Sequence, residues 1–420
     1  MPIDPTAIPS PPDASPSDDD RHYRMRVLPD LSSVDAATWN ALARHPEPGP
    51  TVPALQPFVR YEFLRALERS GCVGAQTGWL PRHLLIESPS GPNGANCMDA
   101  RPLVGALPMY VKGHSYGEYV FDWAWADAYE RHGLDYYPKL LSAIPFTPVT
   151  GRRLLAADGD GRRLLAAGLM QFARDSGLSS LHVLLPDEDD EPALRAAGLS
   201  IRKGVQFHWR NRDYRDFDAF LADLTQPKRK KIRAERRKVR EAGVTVERLD
   251  GAELRESHWA FFHACYQATY RQHHSTPYLN ERFFMDIGES MPEHLMMAIA
   301  SLDGRPIASS LVLRDETRLY GRYWGALEHV PCLHFELAYY QTIEAAIERC
   351  IPLIEGGAQG EHKMARGFEP VATASAHWLR HAQFARAVDD FLRREDRMID
   401  GYLDELAERT PFRPADPLTR

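Results

Sequence analysis

The chain repeats itself. An apolar strand-like run, a polar loop, a short helix and a glycine lead into a strand that ends in His-Trp. This series occurs twice: Gly198-Leu199 runs on to His208-Trp209, and Gly367-Phe368 runs on to His377-Trp378. The interval from the glycine to the His-Trp pair is the same in both halves. Self-similarity of this kind, matched in the order of elements as well as in spacing, points to one supersecondary unit used twice. It restricts the fold to two copies of an α/β unit joined near Asn211 to Thr225. At 420 residues the chain has room for two domains. The reading that follows is a disordered tail over 1–25, a first unit over 26–212, a second over 213–378, and a C-terminal helix and tail over 379–420.

The elements take their places by pattern. Met1 to Asp20 is rich in Pro, Ser and Asp and has little to bury, so it reads as disordered. In the first half, strands are predicted over Arg26–Leu31, His83–Glu87, Leu103–Lys112, Leu181–Leu185 and Ile201–Trp209. Helices are predicted over Phe58–Arg69, Arg162–Asp175 and Pro192–Ala197, the last closed by Gly198. Pro89 to Asn96 supplies the loop of a hairpin. In the second half, helices are expected at Lys228–Glu241, His258–Arg271 and Phe335–Arg349. Strands are expected at Val244–Leu249, Leu295–Leu302, Ile307–Arg314, Arg318–Trp324 and Ile351–Ile354. Asp303-Gly304 is a hairpin turn signal. His362–Ala365 reads as a short helix, and Phe384–Leu406 as a long charged one.

Composition removes several classes. The net charge of −7 means that any polyanion-binding surface must be local. Cys72, Cys97, Cys265, Cys332 and Cys350 are odd in number and scattered, which argues against a disulfide framework or a structural zinc site. His273-His274 point apart as neighbours on one element, and no carboxylate or cysteine stands at ligand spacing, so no metal is expected. No apolar run is long enough to span a bilayer, and the start lacks a signal peptide's pattern; a cytoplasmic protein is the expectation.

Glu355-Gly-Gly-Ala-Gln-Gly-Glu-His-Lys363, with Gly117-Glu-Tyr-Val-Phe-Asp-Trp123, Tyr136-Tyr-Pro-Lys-Leu140, Pro145-Phe-Thr-Pro-Val149, Arg322-Tyr-Trp-Gly325 and His334-Phe-Glu336, carries a resemblance. The chain resembles the FemAB-like "peptidoglycan biosynthesis/recognition" proteins of the GNAT (N-acyltransferase) superfamily from about residue 26 to 400. The resemblance implies an α/β (α+β) fold of two tandem GNAT-like units, each a mixed, mostly antiparallel sheet flanked by helices. It also implies acyl transfer to an amine by direct attack. One departure stands out. Acetyl-CoA-binding relatives hold pyrophosphate on a Gly-rich loop at a helix N-terminus, whereas here the corresponding loop, Glu328 to His334, has no glycine. Fem-type enzymes share that lack and draw on aminoacyl-tRNA. Acyl-CoA as a co-substrate and aminoacyl-tRNA both stay open as donors, with no tightly bound cofactor.

Acyl transfer needs a base, donors for the oxyanion and an acid for the leaving group. Glu336, Glu361 and His362 are the candidate catalytic groups. Glu336 reads equally well as a first-turn helix charge, and His362 as a helix-start residue. Arg322, Tyr323, Trp324, His334, Gln359, Lys363 and Arg366 are candidates for binding donor or substrate. Lys112, Ser115, Glu118 and Trp123 are their first-half counterparts. They fall in an aromatic stretch that lines either a groove or a core. Lys228-Arg229-Lys230-Lys231 opens the most basic run in the chain and is a candidate for the phosphates of CoA, tRNA or lipid, although charge runs are ordinarily solvated faces. Ile232 and Val239, seven apart, let one face of that helix dock on a core. Two readings result: an N-acyltransferase acting on a small-molecule donor and amine acceptor, or a non-catalytic module binding a cell-wall precursor or an RNA.

Overall fold

The structure is a computed structural model that describes residues 22–52, 54–89, 101–357 and 360–413. Of the tail read as disordered over 1–25, residues 1–21 lie outside the described residues, as does most of the Pro89–Asn96 loop, while Arg24 and Met25 are not disordered but open the first strand, where they pair with Glu87 and Ile86. The chain forms two compact units. One comprises Met1–Glu47, Ala54–Gly204 and Thr373–Met398; the other comprises Pro48–Pro53, Val205–Ala372 and Ile399–Arg420.

The strands are β1 (Arg24–Leu28), β2 (Trp79–Pro81), β3 (His83–Glu87), β4 (Leu103–Leu107), β5 (Tyr110–Lys112), β6 (Lys139–Ser142), β7 (Leu155–Ala156), β8 (Ser180–Leu184) and β9 (Ser200–Arg210), followed by β10 (Val244–Asp250), β11 (Leu295–Leu302), β12 (Arg305–Arg314), β13 (Arg318–Ala326), β14 (Leu353–Glu355) and β15 (Phe368–Leu379). In the first unit, β1-β3-β4-β7 form one antiparallel sheet. A second set runs β2-β5-β6-β8, with only β6 and β8 parallel. The amphipathic helix Gly159–Asp175 turns Leu165, Ala166 and Leu169 inward onto Leu84, Leu107, Leu140 and Val183. The strand predicted over Leu103–Lys112 is broken in two. Pro108 stands at the break; it has no N–H for a ladder, so pairing stops and resumes at Tyr110.

In the second unit, β10 to β13 are a meander, and β11–β12 turn across Asp303-Gly304 as predicted. β14 lies parallel to β13. The helix predicted over Phe335–Arg349 begins at Leu333, carries a π turn at Glu336–Tyr340 and ends at Glu348. The basic helix Gln226–Glu241 packs through Ile232 and Val239, as the seven-residue spacing requires. The C-terminal helix spans Ala382–Glu408. The architecture is a mixed α/β fold of two compact units.

Chain order and unit membership part at the last strand of each repeat. Residues 205–210 of β9 belong to the second unit, where His208 pairs with Glu355 and Trp209 with Ile354 of β14. Residues 373–379 of β15 belong to the first, where His377 pairs with His182 of β8.

Candidate active site

The site begins with a fault in a sheet. Leu311 of β12 pairs with Tyr323 and Val312 with Gly321, so Arg322 is an additional residue on β13. Such a bulge bends its strand and re-aims side chains. β13 and β14 are paired from Arg318↔Leu353 to Tyr320↔Glu355. Beyond that, β13 continues to Ala326, whereas β14 ends and the chain turns away at Gly356. The strands therefore part, and a cavity of about 120 Å³ opens beside the π turn. At ~30 Å³ per water it takes the reactive end of a ligand rather than a whole one. Its walls are Ser310 to Val312, Gly321 to Trp324, His334, Ala338, Tyr339, Ile354, Gly356 and Phe368. A side chain at Gly356 would strike Phe368 at 2.9 Å and the Phe207 carbonyl at 3.1 Å, so glycine lets the backbone form that wall.

Charge at the cavity is positive. Lys363 is only 3% exposed, and its Nζ donates to the Gly357 carbonyl at 3.1 Å. Burial, reinforced by the Arg322 guanidinium, brings its pKa down to about 8. His334 lies against Trp324 and Tyr339, with ring centroids 5.2 and 5.6 Å away. Burial, with His362, Arg366 and Lys363 nearby, lowers it to about 4, so its imidazole is neutral at pH 7. His362 Nε2 is 3.0 Å from the Tyr339 hydroxyl. Burial, then Lys363 and Arg366, lowers this histidine too. Burial raises the Tyr339 phenol to about 12. Two neutral imidazoles and a phenol can pass a proton, and two cations can hold an oxyanion.

The predicted residues divide. Arg322, Tyr323, Trp324 and His334 line the cavity, while His362 and Lys363 border it. Arg366 stands behind, 3.5 Å over the Phe335 ring and forked onto Glu235 at 3.0 and 3.1 Å. Glu336 is not among the lining residues. Arg236 donates to both its oxygens, at 2.9 and 3.1 Å, and Gln341 adds a bond at 2.9 Å, so it serves a buried ion pair. Glu361 is exposed and accepts from Tyr402 at 2.6 Å. Gln359 lies outside the described residues.

The first-unit candidates form a cluster of their own. Lys112 is buried, its Nζ 3.8 Å from the Trp79 ring centroid. Ser115 and Glu118 accept from Lys139 Nζ at 2.7 and 2.9 Å, and Asp122 accepts from it as well. Trp123, with Tyr116 and Phe121, is exposed, whereas Trp125, Tyr129 and Tyr136 are core. The aromatic stretch is thus half surface and half interior. On the basic helix, Lys230 and Lys231 are exposed, and Lys228 and Arg229 are half-buried.

Sequence reasoning missed Tyr339, Lys139 and Glu235. Two of them left a signal: Lys139 stands in the motif Tyr136-Tyr-Pro-Lys-Leu140, and Glu235 is the single acid between Lys228 and Arg240.

Comparison with known proteins bears on this geometry. The structure of FemX aligns with a TM-score of 0.50 at 10% identity, covering 85% of this chain and 98% of FemX. A tandem GNAT protein from the clavulanic acid biosynthesis pathway aligns at 0.43 and 12% identity, covering 85% and 98%. L-PGS from Bacillus licheniformis aligns at 0.46 and 11%, covering 80% and 96%. At such identities the likeness to FemX speaks to the fold alone. A search of the curated proteins finds no match. Among the described residues no helix is long and apolar enough to cross a membrane. The sequence matches one family over residues 30–414, nearly its whole length, and so the chain belongs to the FemAB-like family of peptidoglycan biosynthesis/recognition proteins.

Proposed function

We propose that the second unit transfers an acyl group from an activated donor to the amine of a peptidoglycan precursor. The observation that carries this reading is the cavity between the parted strands β13 and β14, with neutral imidazoles, the buried Lys363 and the half-buried Arg322 around it. The amine nitrogen attacks the acyl carbon, and the carbonyl oxygen becomes an oxyanion facing Arg322 and Lys363. His362 takes the amine's proton. Tyr339, 3.0 Å away, delivers a proton to the leaving oxygen or sulfur and is reprotonated from His362. One carbon–nitrogen bond forms, one carbon–heteroatom bond breaks, and the proton lost by the amine ends on the leaving group. Family membership supports the acceptor class.

The test is product formation, followed by mass spectrometry, from acyl-CoA and from aminoacyl-tRNA with muropeptide amines. Replacing His362 by Ala is expected to lower kcat/KM by about 10²–10⁴-fold. No product with either donor class, or an unchanged rate in the variant, would overturn the reading.

A second reading, an RNA-binding module, is favoured by the outward face of the helix Gln226–Glu241. Lys230, Lys231, Arg237, Lys238 and Arg240 are exposed there, while Ile232 and Val239 are buried, so nothing apolar on that face can enter a bilayer. Affinity for a single-stranded RNA is then expected to fall steeply with salt, by roughly 0.7 in log–log slope per phosphate. Substituting Gln at Lys228 to Lys231 flattens the slope. A slope already flat in the unaltered protein excludes this reading.

A further inference from the structure

The turn Glu361–Arg366, which carries His362 and Lys363, sits between two glycines with positive φ, Gly360 at 115° and Gly367 at 86°. Backbone of that kind is permissive, so side-chain bonds must fix where the turn points. Arg366 is 2% exposed and makes the tie. Its Nη1 donates to the His362 carbonyl at 2.8 Å, its Nη2 forks onto both oxygens of Glu235, and its plane stacks on Phe335. Glu235 also accepts from the Tyr340 hydroxyl, next in sequence to Tyr339. One carboxylate thus reaches the turn that bears His362 and the helix that bears its partner. A buried acid is costly unless it is paired; the pairing with Arg366 is what holds Glu235.

We propose that Glu235 is a positioning residue: acting through Arg366, it sets the His362 imidazole against the Tyr339 hydroxyl. The proposal rests on the acyl-transfer reading for its importance to rate, but not for its geometry, and the two are separated by experiment. The first arm is NMR of the histidine ring signals in the unliganded full chain. In Glu235→Gln, the His362 resonances are expected to move and its titration midpoint to change, while His362→Gln, made in parallel, identifies those resonances by their loss. A Glu235→Gln protein whose His362 signals and midpoint match the unaltered protein overturns the proposal, whatever its activity. Should Glu235→Gln fail to fold, Arg366→Lys keeps the charge but cannot fork and donate to the carbonyl together, and the same reading applies. The second arm is a double-mutant cycle on acyl transfer. Glu235→Gln is expected to lower kcat at least tenfold with KM little changed, and to add nothing in a His362→Ala background. Full additivity in that background overturns the proposal, since a general loss of structure would slow both proteins alike. If the NMR signals move but no acyl transfer is found in any form, the geometry stands and the functional reading falls.

Discussion

Substituting Met for Lys139 is expected to lower the unfolding free energy at pH 7 by about 3–5 kcal/mol, because breaking one side of a buried ion network leaves its partners uncompensated. Lys139 is fully buried and donates to Ser115, Glu118 and Asp122. Burial already raises Glu118 to about 7, against the pull of Lys139. Asp122 stays below the usual carboxylate range in spite of burial, because Lys139 and then His182 oppose it. Without the ammonium both carboxylates favour their protonated forms, so their folded-state pKa values rise. A raised carboxylate stabilises below its unfolded pKa and loses that contribution as pH climbs through the folded value. The deficit of the variant should therefore be larger at pH 8 than at pH 5, read by urea titration at both. A deficit that does not change with pH would mean that only packing was lost.

A bell-shaped dependence of kcat/KM on pH is the second large expectation. The base must be neutral: His362 is lowered from its ordinary value, so the acidic limb should fall below about 6.5. The cation must stay protonated, and Lys363 titrates at about 8, so rate should fall as pH rises through that value. Lys363→Arg is expected to push the alkaline limb up by two or more pH units, since a guanidinium does not deprotonate in this range. His362→Ala should flatten the acidic limb. An acidic limb that survives in His362→Ala would move the base to another residue.

Much of the fold was legible because its signals are local. The Asp303-Gly304 turn and the seven-residue spacing on the basic helix each act within a short window, and each copy of the repeat is read within its own segment. The candidate site was legible in part. Arg322, His334, His362 and Lys363 meet because the strand end, the helix start and the glycine turn are three ends of one unit. Glu336 shows where proximity in sequence misleads. Residues two apart on a helix face different ways, so His334 at the cavity sends Glu336 toward Arg236. Tyr339 lies within the π turn, which no residue pattern announces, and Glu235 finds Arg366 only through a contact 131 positions away in the chain.

The crossing-over of the two closing strands also limits how this protein can be taken apart. A gene cut at the seam of the duplication would yield two pieces, each carrying a strand that pairs in the other. Each would expose a raw sheet edge where β14 loses His208-Trp209 or β8 loses His377-Trp378. Bare edges of that kind invite aggregation. The two copies have to be made as one chain for either to close its sheet.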